Sequence, residues 1–432
     1  MANVPGALGP TLGKLSSLTA PIRIALIGMG AMGKGLLHQC RITPGMECVA
    51  VADLVAERAV RCAEMAGLPY RLASTPGQVQ DAIRQGFLAI CEDSMLVAAC
   101  PEATVLVEST SAIGEAGRYA VTAVETGKHL VMMNAEADLA FGPYLMRLAR
   151  RRGVVYTSCG GDQHGVIRNL IDEIQLWGFD LVMAGNIKGF LDRYSNPTKI
   201  VPEADARNLD YRMATAFTDG TKLCVEMSLV ANAFGLRTTV PGMHGPRADD
   251  VQDVLSVFDF ESLDARSRPC VDYILGATPG GGVFVVGYCD HPYQREMLAY
   301  YKKGRGPFYL FYRPYHLCHI EAMNCIVEAV VDGRSLLEPL AGFRTNVFAY
   351  AKRGLHAGEK LDGIGGYTCY GMIENCDDSA HPGIPIALSE NLVLRRDIVQ
   401  DSPIAMCDVE GGDGRPDFEL YAQARRASGG CS

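Results

Sequence analysis

The chain has 432 residues, 48% hydrophobic and 21% charged, enough to bury a large core spread over two or three domains. A formal charge of −9 and the lack of any Lys/Arg run leave no basic field for a phosphate backbone or an anionic bilayer, so neither nucleic acid nor membrane is an expected partner. The 15 cysteines are odd in number and scattered, several of them (Cys48, Cys91, Cys224) inside apolar runs, which reads as reduced thiols and not as a disulfide framework.

Met1 to Ala20 is rich in Gly, Pro and Ser and has no continuous apolar core, so it reads as a flexible arm and not as a signal peptide. No apolar stretch approaches the roughly 18 residues that a membrane helix needs, and a cytoplasmic protein is expected. From Ile22 onward short β-branched runs alternate with helical stretches, the pattern of an α/β fold with a parallel sheet covered on both faces. The strands predicted are Ile22–Ile27, Cys48–Ala52, Thr104–Glu108, His129–Met133, Val154–Thr157 and Asp180–Ala184. Apolar spacing of three and four places helices at Ala31–Cys40, Ala56–Ala66, Pro76–Glu92, Gly114–Thr126, Pro143–Arg152 and Val166–Trp177.

After Gly185 the texture changes, with more Gly, Pro, Asn and aromatic residues, a helix at Leu223–Ala233, strands at Val271–Tyr273 and Gly282–Gly287, and a helix at Cys318–Val331 returning toward the core. A second break near Leu337–Gly342 precedes short strands at Val347–Lys352, Ile384–Leu388 and Leu392–Leu394. The predicted division is an arm over 1–20, a dinucleotide-binding domain over 21–185, a catalytic and substrate domain over 186–341, and a small β-rich module over 342–432.

Gly28-Met-Gly30-Ala31-Met32-Gly33 follows the first strand and opens the first long helix, the G-x-G-x-x-G of a Rossmann domain. Gly28 makes the tight turn, Gly30 lets the backbone approach a pyrophosphate, Gly33 lets helix and strand pack, and Ala31 and Met32 present helix N–H groups to the phosphates. The second strand ends in Asp53, placed to accept both ribose hydroxyls and to repel a 2′-phosphate, which favours NAD; Arg58, one helical turn on, keeps NADP open. At the carboxyl ends of later strands, Ser109, Thr110, Asn134 and Glu136 are positioned to touch the nicotinamide or its ribose.

Long motifs in the rest of the chain, "MNAEAD", "DGTKLCVEM", "PGMHGP", "GRGPFYLFYRPYHL" and "AKRGLHAGEKLD", resemble homoserine-dehydrogenase-like oxidoreductases with a C-terminal SAF-like domain, close to the deoxyxylulose-phosphate-reductoisomerase-like family. The resemblance covers nearly the whole chain. It implies a Rossmann domain, a central α+β domain for catalysis and dimerisation, and a C-terminal β-rich SAF-like module, hence a homo-oligomer (dimer or tetramer). The segment from Asn186 to Lys199 departs from that family's Gly-Lys-rich stretch, at the place where substrate is expected.

A dehydrogenase must move a proton on the oxygen whose carbon exchanges hydride, and must hold the charge developing there. Lys188, in a loop after the last predicted strand of the sheet, is a candidate to polarise that oxygen. Arg193, Tyr194, Asn196 and Lys199 on the same loop would complete an anion pocket. Asp219 and Lys222 are a second pair, with Gly220 suggesting a hairpin turn. His244 sits in a Gly/Pro-flanked loop suited to acid–base work, and Arg313 and His316 form a compact polar group among aromatics. Asp162 reads as a helix N-cap, and His164 as a residue facing the nicotinamide. No cysteine stands beside a convincing base, Cys159 being the nearest to the cleft, so a thioester mechanism is not favoured.

His316, Cys318 and His319 resemble a ligand cluster but lack a partner pair at zinc spacing, and no metal is assigned. The expected function is hydride transfer between NAD, or NADP, and a small polar, anionic hydroxy or carbonyl compound. The alternatives are a reductoisomerase acting on a sugar-phosphate-like substrate with a divalent metal, and a non-catalytic dinucleotide sensor.

Overall fold

A computed structural model describes residues 8–207, 209–376 and 383–429. In chain order the elements begin with α1 (Pro10–Ser16), β1 (Ile22–Ile27), α2 (Ala31–Ile42), β2 (Met46–Ala52), α3 (Ala56–Met65), β3 (Tyr70–Leu72), α4 (Pro76–Arg84), β4 (Leu88–Cys91) and α5 (Ser94–Ala98). They continue with β5 (Val105–Glu108), α6 (Ile113–Glu125), β6 (His129–Met132), α7 (Ala135–Arg152), β7 (Tyr156–Ser158), α8 (Gln163–Leu176), β8 (Asp180–Lys188), α9 (Val201–Arg207), α10 (Tyr211–Thr218) and α11 (Thr221–Phe234). The rest are α12 (Val254–Val257), β9 (Cys270–Leu275), β10 (Val283–Tyr288), α13 (Pro292–Tyr300), β11 (Phe308–Arg313), α14 (Cys318–Val330), β12 (Thr345–Ala351), β13 (Cys369–Asn375), β14 (Val393–Leu394), β15 (Val409–Glu410) and α15 (Pro416–Ala427).

The chain forms two compact units, one made of Met1–Asn134, Leu145–Gly161 and Leu317–Leu337, the other of Ala135–Tyr144, Asp162–His316 and Glu338–Ser432. The first holds a seven-stranded sheet in the order β3-β4-β2-β1-β5-β6-β7. Every pairing in it is parallel. Strand order reverses at β1, so the carboxyl ends of β1 and β5 flank the switch point where such sheets bind ligands. Helix α14 returns to this unit and packs on α2, as its apolar pattern predicts.

The second unit is built on a four-stranded mixed sheet, β11-β10-β8-β9. A core under α8 and α11 joins Val166, Ile167 and Ala184 to Leu223, Met227 and Val230, and continues into Val347, Ala349, Ala351 and Ile373 of the tail.

Several expectations need correction. The helix expected over Pro76–Glu92 stops at Arg84, and Leu88–Cys91 is a strand of the first sheet; Gly86, at φ +79°, breaks the helix between them. Asp180–Ala184 belongs to the second sheet, so the domain boundary at 185 is wrong. Its strand runs on to Lys188 because Gly185 is demanded by packing, a Cβ there lying 2.3 Å from the Phe284 ring. The α7 helix begins at Ala135 and passes through Pro143, burial of its apolar positions outweighing the one hydrogen bond that Pro removes.

The tail from 342 is not a separate folding unit, since its strands share the core of α11. Ile384–Leu388 is not a strand but holds a short 3-10 turn at Ile386–Leu388. The arm is helical over Pro10–Ser16 and buries Leu15, residues 1–7 of it lying outside the described part. Among the described residues the cysteines carry free thiols, and no helix is long and apolar enough to cross a membrane.

Candidate active site

In the first unit, β1 runs into a turn that only glycine can make. Gly28 has φ +93°, and a Cβ on it would lie 2.9 Å from the Ser109 and Thr110 backbone; one on Gly33 would lie 1.8 Å from the Gly28 carbonyl oxygen. A Cβ on Gly30 would meet nothing within 4 Å. Gly30 is the N-cap of α2 without any side-chain cap, and Ala31 and Met32 are exposed, so the helix N-terminus is open to an anion.

Asp53, at the end of β2, accepts the Met29 N–H (2.8 Å) and the Val55 N–H (2.9 Å), which fixes its carboxylate beside the turn, with Arg58 3.7 Å away. Ser109 donates to the Ile27 and Gly28 carbonyls (2.9 and 3.0 Å) and so clamps the turn; the Thr110 N–H is held by Glu108. Asn134 is buried at the end of β6. An open pyrophosphate approach at Gly30, an uncapped helix end and a pinned carboxylate at the ribose position together fit a dinucleotide.

In the second unit, a left-handed Gly220 (φ +90°) joins α10 to α11, so Asp219-Gly220 is a helix–helix corner and not the hairpin expected. The corner turns Lys222 inward, where it is buried. Its Nζ lies 3.4 Å from Glu136 Oε1 and 3.7 Å from Asp162 Oδ2. Asp162 caps α8 through the Gln163 N–H, and His316 approaches its other oxygen at 3.8 Å. Burial works against the Asp162 charge, but Lys222, His164 and His316 outweigh it and hold the carboxyl at about 2.

His164, in the first turn of α8, is driven by burial down to about 4 and is a neutral imidazole at physiological pH. Burial, with Asp162 adding, pushes the Glu226 carboxyl well above the ordinary carboxylate range. Burial likewise lowers the Lys188 ammonium against the pull of Glu226 and Asp219; its Nζ donates to the Phe217 carbonyl at 2.8 Å. Lys188 closes β8 and so stands in the second sheet, not at the edge of the dinucleotide sheet. Asp219, raised by burial despite Lys352, accepts the Thr221 N–H (2.9 Å) and the Lys352 ammonium (2.9 Å).

The residues expected as an anion pocket each have partners within the protein, and Arg193 and Tyr194 also line a cavity with Asp219, Gly220 and Tyr370. Lys199 pairs with Asp192, the Tyr194 hydroxyl donates to Asp401 (2.8 Å), Arg193 lies over the Tyr370 ring, and Asn196 caps the Thr198 and Lys199 N–H groups. Arg313 stacks on Tyr315. His244 is locked by the fully buried Asp272, whose carboxylate also takes the Gly245 and Tyr273 N–H groups, which gives it an anchoring role in its loop.

Of the predicted residues the structure thus brings Lys222, Glu136 and His316 together with Asp162 and His164, with Lys188 and Asp219 at the margin. Glu226, Lys352 and Asn186 were missed. The only sequence signal for Glu226 is its place four residues after Lys222 on one helix face, inside a run too apolar to expect an exposed pair.

Residues 161–322 match the family model described as "Oxidoreductase DRL, catalytic domain". No curated protein matches the chain. Among solved structures, a homoserine dehydrogenase from Thiobacillus denitrificans is 14% identical, with 78% of this chain and 83% of that one covered and a TM-score of 0.44. A scyllo-inositol dehydrogenase from Lactobacillus casei with NAD(H) and scyllo-inositol is 11% identical, covering 62% and 73%, with a TM-score of 0.36. A biliverdin reductase from Synechocystis sp. PCC 6803 with biliverdin and NADP+ is 15% identical, covering 40% and 48%, with a TM-score of 0.29; the chain spans about half the length of that reductase. One unit thus carries a glycine turn that fits a dinucleotide, and residues 161–322, which take in most of the central region of the other, are similar to an oxidoreductase catalytic domain.

Proposed function

We propose that the protein transfers hydride between a nicotinamide dinucleotide and a small polar hydroxy or carbonyl compound, with Lys222 as the group that holds the reacting oxygen. The observation that carries this reading is a buried ammonium flanked by Glu136 and Asp162. When bound, the nicotinamide supplies or accepts the hydride. In reduction the Lys222 ammonium donates a hydrogen bond to the carbonyl oxygen and passes it a proton as hydride reaches the carbon, the resulting amine regaining its proton from solvent; in oxidation the neutral amine takes the hydroxyl proton as hydride leaves. Asp162 and Glu136 keep the ammonium charged and aimed, and Asp162 is itself fixed by its cap to the Gln163 N–H.

A reductoisomerase would ask for a divalent cation among these carboxylates. Here they already face an ammonium, which favours simple hydride transfer.

The test is Lys222→Met, which keeps the stem and removes the charge. With NADH and NADPH and a panel of small carbonyl compounds, kcat is expected to fall by roughly 10²–10³, the scale of one lost preorganised donor. Cofactor affinity, read by nucleotide fluorescence, stays as in the wild type. Unchanged kcat in the variant would move the chemistry elsewhere, and a wild type that binds cofactor but turns over nothing would make the protein a dinucleotide sensor.

A further inference from the structure

We propose that Asn186 and His164 recognise a hydroxyl on the carbon next to the reacting one, so that the enzyme acts on hydroxy ketones or diols and not on 2-oxo acids; this rests on the hydride-transfer reading above. Both residues are 1% exposed. Yet Asn186 Nδ2 and Oδ1 and His164 Nδ1 and Nε2 are all buried without a hydrogen-bond partner. Native folds rarely leave two complete side chains in that state, because each orphaned group forfeits its hydration for nothing.

Both side chains face the Lys222 cluster. Asn186 lies on β8 between Ala184, in the core beneath α8 and α11, and Lys188, which faces Glu226 and Asp219. Side chains alternate along a strand, so these three share one face. Helix α8 lies on β8, and His164 stands two residues after Asp162, in its first turn.

The donor set points to a hydroxyl. A neutral imidazole offers one donor and one acceptor, and an amide offers two donors and an acceptor, so the pair can both give and take. A hydroxyl does the same, whereas a carboxylate only accepts. A substrate carboxylate at this place would also face Asp162 and Glu136, two carboxylates against the single ammonium of Lys222.

The test uses the full-length protein with NADH or NADPH, comparing erythrulose and xylulose with 2-oxobutyrate and 2-oxopentanoate. The hydroxy ketones are expected to be preferred by about 10²-fold or more in kcat/KM, since a site built to pair a hydroxyl rejects an analogue that cannot satisfy it. In Asn186→Leu, KM for erythrulose should rise by roughly 10–100-fold with kcat less affected, and the wild-type preference for erythrulose over butan-2-one should collapse. Because the amide makes no hydrogen bond in the protein, Tm should stay level or rise.

Asn186→Ala reads the same preference should the leucine not be accommodated. Wild-type discrimination in either folded variant overturns the proposal. A preference for 2-oxo acids also overturns it while leaving hydride transfer standing, and no turnover on any compound removes both.

Discussion

In the dinucleotide turn, six consecutive positions from Gly28 to Gly33 act through backbone atoms. Around Lys222 the groups come from residues 136, 162, 164, 222, 226 and 316 and act through side chains. The two regions therefore fail differently. The turn tolerates no Cβ at Gly28 or Gly33, because its chemistry is the shape of the chain. In the cluster the backbone is carried by helices and strands with their own cores, so a change of functional group there is expected to act first on charge and chemistry and not on the path of the chain.

The largest effect is expected where shape is everything. Gly33→Ala puts a Cβ 1.8 Å from the Gly28 carbonyl oxygen, a distance no rotamer can relieve, since the clash is with backbone. The β1–α2 junction must move, at a cost of about 4 kcal/mol, the range of severe core disruptions. Tm should fall by roughly 10 °C, and nucleotide binding should be lost even where folded protein is recovered. A variant that binds NADH as the wild type does would mean that the turn does not carry the cofactor.

The same contrast decides what could be read from the sequence. Gly28, Gly30, Gly33 and Asp53 are legible because the constraint is local: a strand, a turn and a helix end in one stretch, and an acid at the next strand end. Lys222 is visible as a lysine but falls in an apparent turn, because Gly220 looks like a hairpin signal where it is a left-handed corner between two helices. Glu226 and Asn186 were invisible for the opposite reason. Each sits in an apolar run that predicts a buried element, and only the packing of α8 and α11 on β8 reveals that the burial is polar. The strand Leu88–Cys91 reads as the end of a helix because four apolar residues fit either periodicity.

A second, smaller effect tests whether the cluster is as buried and neutralised as its geometry requires. The unfolded chain binds a proton at His164 below about 6.5, the folded chain only below about 4. Between these values the unfolded state holds more protons, so stability falls as acid is added, by up to about 3 kcal/mol at the lower end. Asp162 acts in a lower window: its folded value of about 2 lies below the ordinary 3.8, so its contribution is complete above 3.8 and is lost as pH drops toward 2. Thermal unfolding followed from pH 7 to 4 should show the first slope in the wild type and a flatter one in His164→Gln. Equal slopes would mean that His164 is solvated.

The smallest effect concerns cofactor choice, and its design follows from what Asp53 touches. The carboxylate accepts two backbone N–H groups, from Met29 and Val55, so Asp53→Ala loosens the turn for either cofactor and absolute affinities will drop together. The ratio is the informative quantity, because that common loss cancels. What remains is the ribose contact that NADH makes with a carboxylate, a charge-assisted hydrogen bond worth about 1.5–3 kcal/mol, and the repulsion that NADPH suffers from it. Arg58, 3.7 Å from Asp53 and mostly exposed, would be released toward a 2′-phosphate once the acid is gone. The NADH/NADPH affinity ratio should therefore fall by roughly 10-fold or more in the variant. A wild type with equal affinities, or a variant with an unchanged ratio, would show that Asp53 serves the turn alone and that the sheet reads the ribose through another group.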